Sequence, residues 1–479
     1  MTPHRPLLVG DMEHTLDAFQ HEVLEFMDAS GGRCIYADPV GARKTATTLT
    51  WLSQQADLPR TLVVAPKAVH GHWGRECARW FPAADFLAAG KTKESRHIGY
   101  SLIQHADEPV VAITTYEAMK IDEKQIIQAD FHTIVFDEGH RLKGRRTGVA
   151  LTANAITRDA DCLLLVTGTP IMNSADEMWQ YLHMLDRKTY SSFVRWTDEH
   201  FVIETAYFRG RSFPPTRVIH DMKPSHVKIV QQQFSKWKIQ RPIEELFAGE
   251  AWVEPAEHVV VPVVMTSSER KAYDKLVKFG WSVVGKEVIT TDNKVAHNTR
   301  LQQLSSDWGT LDSSLDDGAK VVAAAELIGD LARRETVVAF TSYKATAHRL
   351  VACLDKLGLR ARTYTGDDDR EAVLEDYERC LVDVVVGTLA ALGTGVDGLQ
   401  RRGSSIVMLD RGWTPAINEQ AIGRRRRSGQ RERVSVYHVF NEGTIDVAVV
   451  KACLDKANVI EVLDGRPLKD SIYGKGFTL

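Results

Sequence analysis

The run Cys34-Ile35-Tyr36-Ala37-Asp38-Pro39-Val40-Gly41-Ala42-Arg43-Lys44-Thr45 decides how the chain is read. A short apolar segment enters a loop that ends in Lys-Thr, and a helical run over residues 46–52 follows. A tight turn delivering chain into a helix N-terminus presents backbone N–H groups to an anion. Lys44 would add a point charge at the β- and γ-phosphates of a nucleotide, and the Thr45 hydroxyl could ligate Mg²⁺. The phosphate-loop pattern asks for glycine before the lysine, and Arg43 stands there instead. Taken alone, the run fits an ordinary strand–loop–helix as well as a phosphate cradle.

Working outward, the neighbouring apolar runs set the fold class. Residues 61–66, 110–116, 133–138 and 163–170 are each continuously apolar, end in small or polar residues, and are separated by helical stretches. Strands buried on both faces read this way, and their alternation with helices predicts a doubly wound α/β domain. Ligands of such sheets collect at the carboxyl ends of strands. Asp137-Glu138-Gly139-His140 stands at one such end. Two adjacent carboxylates there are costly without a cation. With Mg²⁺, Asp137 holds the ion and Glu138 orients and deprotonates the attacking water. Thr167-Gly168-Thr169-Pro170 ends another strand; it is either a simple turn or a relay between a nucleotide site and a nucleic-acid track. Upstream, a helix is predicted over residues 15–27, and the Gln20 amide on it could read an adenine edge with one donor and one acceptor.

At 479 residues the chain is expected to form two or three domains, and 44% hydrophobic with 26% charged residues is a globular composition. No apolar run reaches the ~18 residues of a membrane span, so no membrane partner is expected. The N-terminal Met-Thr-Pro-His-Arg-Pro has no signal-peptide pattern, from which a cytoplasmic location is expected, bacterial or in the host cytoplasm if phage-encoded. Six scattered cysteines without a CxxC pair predict buried free thiols. The formal charge of −3 gives no global vote for nucleic acid, so polyanion binding rests on local patches. These are Arg141, Lys143, Arg145 and Arg146; Arg209, Arg211 and Arg217; and residues 424–427.

Polar, helical and aromatic-rich sequence over about 176–250 is expected to be an insertion, with residues 236–247 leading out of the first domain. A second α/β set then begins near residue 259, carries a helical polar insertion over about 267–317, and resumes with strands near 336–340, 361–364, 383–387, 405–409 and 434–439. The domains are therefore placed at 1–250 and 251–479. The second set has no phosphate loop. Its distinguishing segment is Gln420-Ala421-Ile422-Gly423-Arg424-Arg425-Arg426-Arg427-Ser428-Gly429-Gln430. Four arginines in a row are ordinarily a solvated patch; beside a nucleotide site on another domain, an arginine reaching the γ-phosphate is the sharper reading.

In this order the motifs resemble the SWI/SNF-type branch of the superfamily-two helicases. Phe19-Gln20, the run from Ala37-Asp38 to Lys44-Thr45, Ala65-Pro66-Lys67 with Trp73, and Trp80-Phe81-Pro82 match the early motifs. Thr115-Tyr116-Glu117, Asp137-Glu138-Gly139-His140 and Thr167-Gly168-Thr169-Pro170-Ile171-Met172-Asn173 follow. Asp410 with Trp413-Thr414-Pro415, then Gln420-Ala421, Arg424, Arg427, Gly429-Gln430 and Gly443-Thr444-Ile445-Asp446 close the series. The resemblance implies two RecA-like lobes, short helical protrusions, ATP and Mg²⁺ as cofactors, and a monomeric motor on double-stranded DNA, with forked or single-stranded DNA as further substrates. It implies nucleotide contacts at Gln20, Asp38, Gly41, Ala42, Arg43, Lys44 and Thr45, the metal at Thr45 and Asp137, and catalysis by Lys44, Asp137, Glu138, Arg424 and Arg427. Coupling falls to His140, Thr167, Gly168, Thr169, Gly395 and Asp397, and DNA contacts to Lys67, Thr115, Tyr116, Thr365 and Thr394. The chain departs from the pattern at Arg43, at Pro39 where an acid is usual, and in lacking an arginine near the start of 387–397. A degenerate ATPase kept as a DNA- or nucleotide-binding scaffold is the alternative, and the intact Lys44, Thr45, Asp137, Glu138 and Arg427 favour the motor. An RNA-directed helicase fits the closing arginine motif less well.

Overall fold

The computed structural model describes residues 15–464, apart from Ala56, Leu58, Ala89, Lys91, Asp107, residues 207–215, Thr394, Gly395 and Asp397. The expected DNA contact Thr394, the expected coupling residues Gly395 and Asp397, and the basic Arg209 and Arg211 therefore lie outside the described residues. Two compact units divide the chain between Leu246 and Phe247; the end of the last helix, from Val459, groups with the first unit.

In the first unit the strands are β1 (Arg33–Tyr36), β2 (Arg60–Val64), β3 (Asp85–Ala88), β4 (Val110–Thr114), β5 (Thr133–Asp137) and β6 (Cys162–Val166). An antiparallel hairpin of β7 (Phe201–Ala206) and β8 (Thr216–Met222) follows, then β9 (Lys238–Ile239). The main sheet runs β3-β4-β2-β5-β6-β1-β9, every pairing parallel. Burial explains the continuous apolar runs. Alternate residues face opposite sides of a strand, and both sides are covered here: Ile35, Leu62 and Val64 enter one core, Cys34, Tyr36 and Val63 the other.

The second unit repeats the plan. Strands β10 (Glu257–Val263), β13 (Val337–Thr341), β14 (Ala361–Tyr364), β15 (Val384–Thr388), β16 (Ser405–Met408) and β17 (Ser435–Asn441) form a parallel sheet in the order β10-β17-β16-β13-β15-β14. Val338, Phe340 and Ile406 face one core, and Val337, Ala339 and Val407 the other. Between β10 and β13 lies a second hairpin, β11 (Trp281–Val284) with β12 (Glu287–Thr290).

Both insertions contain the helices expected and add strands to them. Each contains a two-stranded hairpin, with β-branched and aromatic residues alternating in and out, as in Trp281, Ser282, Val283 and Val284. Residues 236–247 also do more than leave the first unit: Lys238 and Ile239 pair with Ile35 and Tyr36 and extend the sheet. Two residues are too short a run to register as periodicity. The cysteines are all free, with Cys34, Cys77, Cys162 and Cys453 buried, Cys353 half-buried and Cys380 exposed. Among the described residues no helix is long and apolar enough to cross a membrane.

Candidate functional site

Strand register builds the site of the first unit. Val166 is level with Asp137 on one side and Tyr36 on the other, so the loops after β5, β6 and β1 start in a row about 4.8 Å apart. Phosphate loop, Thr167-Gly168-Thr169 turn and acidic pair are thereby neighbours. Gly168 sits where an added Cβ would meet Val40 and the Asp38 carbonyl at 3.5–3.7 Å, ordinary contact that shows the turn resting on the phosphate loop.

In the phosphate loop, Gly41 takes a positive φ of 93° and Arg43 adopts φ 51°, ψ 37°, directly before the helix Lys44–Ser53. Arg43 thus occupies the left-handed conformation that glycine supplies in the usual pattern. Its side chain is about half exposed and turned to Asp17, Nη1 to Oδ2 3.2 Å. Lys44 donates from Nζ to the carbonyls of Asp38 (2.8 Å) and Pro39 (2.9 Å), which holds the ammonium over the loop. Thr45 is half-buried at the same helix start. Gln20 is buried, and both ends of its amide are engaged: Oε1 accepts from Asp17 N (2.8 Å) and Nε2 donates to Thr47 Oγ1 (2.7 Å). Each end has the capacity for one further hydrogen bond, so these contacts fix the amide without excluding a base edge.

Asp137 is held from three sides. Trp73 Nε1 donates to Oδ2 (2.8 Å), Glu138 N donates to Oδ1 (3.0 Å), and the Tyr116 hydroxyl donates to its backbone carbonyl (2.7 Å). Burial, and then the charge of Glu138, push the Asp137 carboxyl up to about 6; the indole hydrogen bond and Lys44 oppose the shift. A divalent cation would offset that repulsion, so the acidic pair fits Mg²⁺. Asp137 and Thr45 would hold it, and it would supply charge neutralisation to the phosphates. Glu138 has φ 56°, ψ 48°. A non-glycine residue in this region stores strain of ~1–3 kcal/mol and points to a constrained site. Its carboxylate lies 3.2 Å from His140 Nδ1, which is also 3.2 Å from Thr167 Oγ1. Thr167 N donates to Tyr36 O (3.0 Å), and Thr167 Oγ1 accepts from Thr169 N (3.2 Å). The expected coupling residues His140, Thr167, Gly168 and Thr169 therefore form one connected path from Glu138 to the base of the phosphate loop.

Several residues sit otherwise than expected. Tyr116, placed among the DNA contacts, is buried beneath Asp137, with its hydroxyl pKa raised well above 10 by burial. Thr365 is buried too, and both its N–H and its hydroxyl donate to Asp368 Oδ2. Lys67 is exposed beyond β2, and Thr115 caps the helix Tyr116–Ile121 by accepting from Ala118 N. Asp38 turns its fully buried carboxylate to Arg241, away from the loop interior. Arg241 is a support that pattern reading missed; Trp73, quoted there only as part of a motif, proves to be the donor that holds Asp137.

In the second unit the four arginines form no solvated patch. Arg424 is buried, donating to the carbonyls of Gly393 (3.1 Å) and Val396 (3.0 Å). Arg425 is fully buried and reaches Thr336 O (2.8 Å), and Arg426 lies on the carbonyls of Val253 and Glu254. Arg427 is half-buried and also reaches Val396 O (3.1 Å). Arg424, expected in catalysis, here braces the loop after the helix Leu389–Leu392; Arg427 is the more accessible of the pair.

The profile of the SNF2-related domain matches residues 19–309, more than half of the chain. The chain belongs to the SNF2-related domain family. Among members of this family it is 26% identical to the ISWI chromatin-remodeling complex ATPase CHR17 of Arabidopsis thaliana, over 88% of this chain and 39% of that protein. It is 23% identical to the probable ATP-dependent DNA helicase CHR12 of the same plant, over 93% and 41%. The chain thus spans about two fifths of the length of these curated relatives. The SWI2/SNF2 ATPase core of Sulfolobus solfataricus, solved in complex with dsDNA, is similar at 17% identity and a TM-score of 0.43, covering 93% of this chain and 92% of that one.

Proposed function

We propose that this SNF2-related chain is an ATP-dependent motor that moves along double-stranded DNA. The observation that carries the reading is the convergence of Lys44, Asp137, Glu138 and the His140–Thr167 path on three adjacent strand ends. Relatives named as a chromatin-remodeling ATPase and a DNA helicase support it.

Each side chain has a role its surroundings allow. The phosphate-loop N–H groups and Lys44 bind the phosphates. Asp137, fixed by Trp73 and Tyr116, would hold Mg²⁺ together with Thr45. Glu138, whose carboxylate lies beside His140, orients a water and takes its proton. His140 and Thr167 carry a change at Glu138 to the turn lying on the phosphate loop. In the second unit Arg424 holds the loop after the helix Leu389–Leu392, and Arg427 is the arginine to which the resemblance assigns a charge on the transferring phosphoryl group. Lys67 and Thr115, at the ends of β2 and β4, contact phosphates of the DNA backbone, which gives tracking without sequence reading.

The test is ATP hydrolysis with duplex DNA, single-stranded DNA and RNA, paired with displacement of a triplex-forming strand. Turnover that duplex stimulates, with triplex displacement, supports the motor. Stimulation without displacement argues against movement, and no hydrolysis with any polymer favours a binding scaffold.

A further inference from the structure

Beyond the catalytic set, one guanidinium joins three separate segments of the first unit. Arg241 follows β9, the segment by which the chain leaves this unit. Its backbone N donates to Asp38 Oδ1 (2.9 Å), Nη2 to Asp38 Oδ2 (2.5 Å) and Nε to Oδ1 (3.4 Å). Nη1 donates to Phe19 O (2.8 Å) and to Glu22 Oε2 (2.8 Å), and the guanidinium lies 5.5 Å from the centre of the Phe19 ring. The exit segment, the phosphate loop and the helix that bears Gln20 (Ala18–Ala29) are thereby pinned to one side chain.

Asp38 is the hinge of this arrangement. Its carboxylate is bound to Arg241, while its own carbonyl accepts from Lys44 Nζ at 2.8 Å. The strand below is fixed the same way: Ile35 N donates to Trp237 O (2.7 Å) and Ala37 N to Ile239 O (2.9 Å). A shift of the exit segment must therefore move Asp38, and with it the carbonyl that seats Lys44.

We propose that Arg241 is a positioning residue for the nucleotide site, coupling the place of the exit segment to the phosphate loop and to the Gln20 helix. The inference rests on the reading of this site as an ATP site. Three features separate it from an ordinary stabilising ion pair. Asp38 is fully buried, so a missing partner leaves an uncompensated charge at the loop. The planar fork holds both Asp38 carboxylate oxygens while its remaining nitrogen bonds Phe19 O and Glu22, a bidentate geometry that a point-like ammonium does not reproduce. β9 contributes just two paired residues, and Arg241 adds a side-chain anchor between that segment and the site.

The experiment compares wild type, Arg241→Lys, Asp38→Asn and the double variant of the full chain by amide hydrogen exchange without nucleotide and by ATP kinetics. In Arg241→Lys, exchange at residues 38–45 and 19–24 is expected to quicken about tenfold, as for an interaction of this class, while the second unit is unchanged. The KM for ATP rises about tenfold with kcat within about threefold, and the double variant is no worse than the weaker single. Exchange at 38–45 equal to wild type, an unchanged KM, or effects that multiply in the double variant would each overturn the proposal. Lys44→Ala is run beside them. If wild type itself binds no ATP, the ATP reading fails, while the exchange comparison still decides whether Arg241 positions the loop.

Discussion

Replacing Arg43 by glycine isolates the oddest residue of the phosphate loop. At φ 51°, ψ 37° a side chain costs ~1–2 kcal/mol relative to ordinary helical backbone. Glycine removes that cost but loses more freedom on folding, by ~0.5–1 kcal/mol. The exposed ion pair with Asp17 is worth at most ~0.5 kcal/mol and is lost as well. The balance is a change within about 1 kcal/mol, on the stabilising side if the strain is at the upper end of its range. Arg43→Ala keeps the strained backbone and loses the ion pair, so it is expected to be less stable than Arg43→Gly by about 1 kcal/mol. Because the side chain is turned to Asp17, the ATP KM of Arg43→Gly is expected to stay within about threefold of wild type. Urea unfolding gives the first comparison and steady-state ATP hydrolysis the second. An ATP KM that falls about tenfold or more in Arg43→Gly would show the side chain obstructing the phosphates, and would refute the outward placement.

Three further perturbations follow from other parts of the molecule. Trp73→Phe removes an N–H donor from the buried Asp137 carboxylate, an interaction worth ~1.5–3 kcal/mol to the charged form. The acid limb of the pH–rate profile should therefore move to higher pH, and an unmoved limb would dismiss the indole as a support. His438, buried against His258 and Arg411, is held well below 6.5, chiefly by burial. A histidine neutral in the fold but charged when unfolded gives stability that is present above pH 6.5 and lost as pH falls below it. The slope is about 1.4 kcal/mol per pH unit. His438→Gln should flatten urea-unfolding stability between about pH 6.5 and 5, and an unaltered slope would assign the titration elsewhere. Arg425 is fully buried, and its Nε and Nη1 have no hydrogen-bond partner. Arg425→Met should thus be neutral or stabilising by ~1–2 kcal/mol in urea unfolding. A loss of ~3 kcal/mol would mean that the charge is needed beside Glu335.

What the sequence made legible was the part ruled by burial and periodicity. Runs such as residues 61–66 and 133–138 became parallel strands because each is covered on both faces, a condition that leaves little choice of residue. The phosphate loop and acidic pair were legible because strand ends place chemistry at fixed points, and register then brought them together. The supports of the site were not. β9 is two residues long, and the Arg241–Asp38 pair spans more than two hundred positions, a separation that no local pattern reports. Tyr116 and Thr365 were expected among the DNA contacts, yet hydrogen bonding to Asp137 and Asp368 withdraws their side chains. The arginine run misled for the opposite reason: buried backbone carbonyls, invisible to composition, accept its donors.

The central claim is that Glu138, on its strained turn, activates water for ATP hydrolysis driven by duplex DNA. The most direct measurement is ATP turnover with and without duplex for wild type and Glu138→Gln, alongside ATP binding by both. Duplex-stimulated turnover is expected in wild type, and in Glu138→Gln retained ATP binding with turnover lost. Stimulated turnover that survives in Glu138→Gln would contradict the claim.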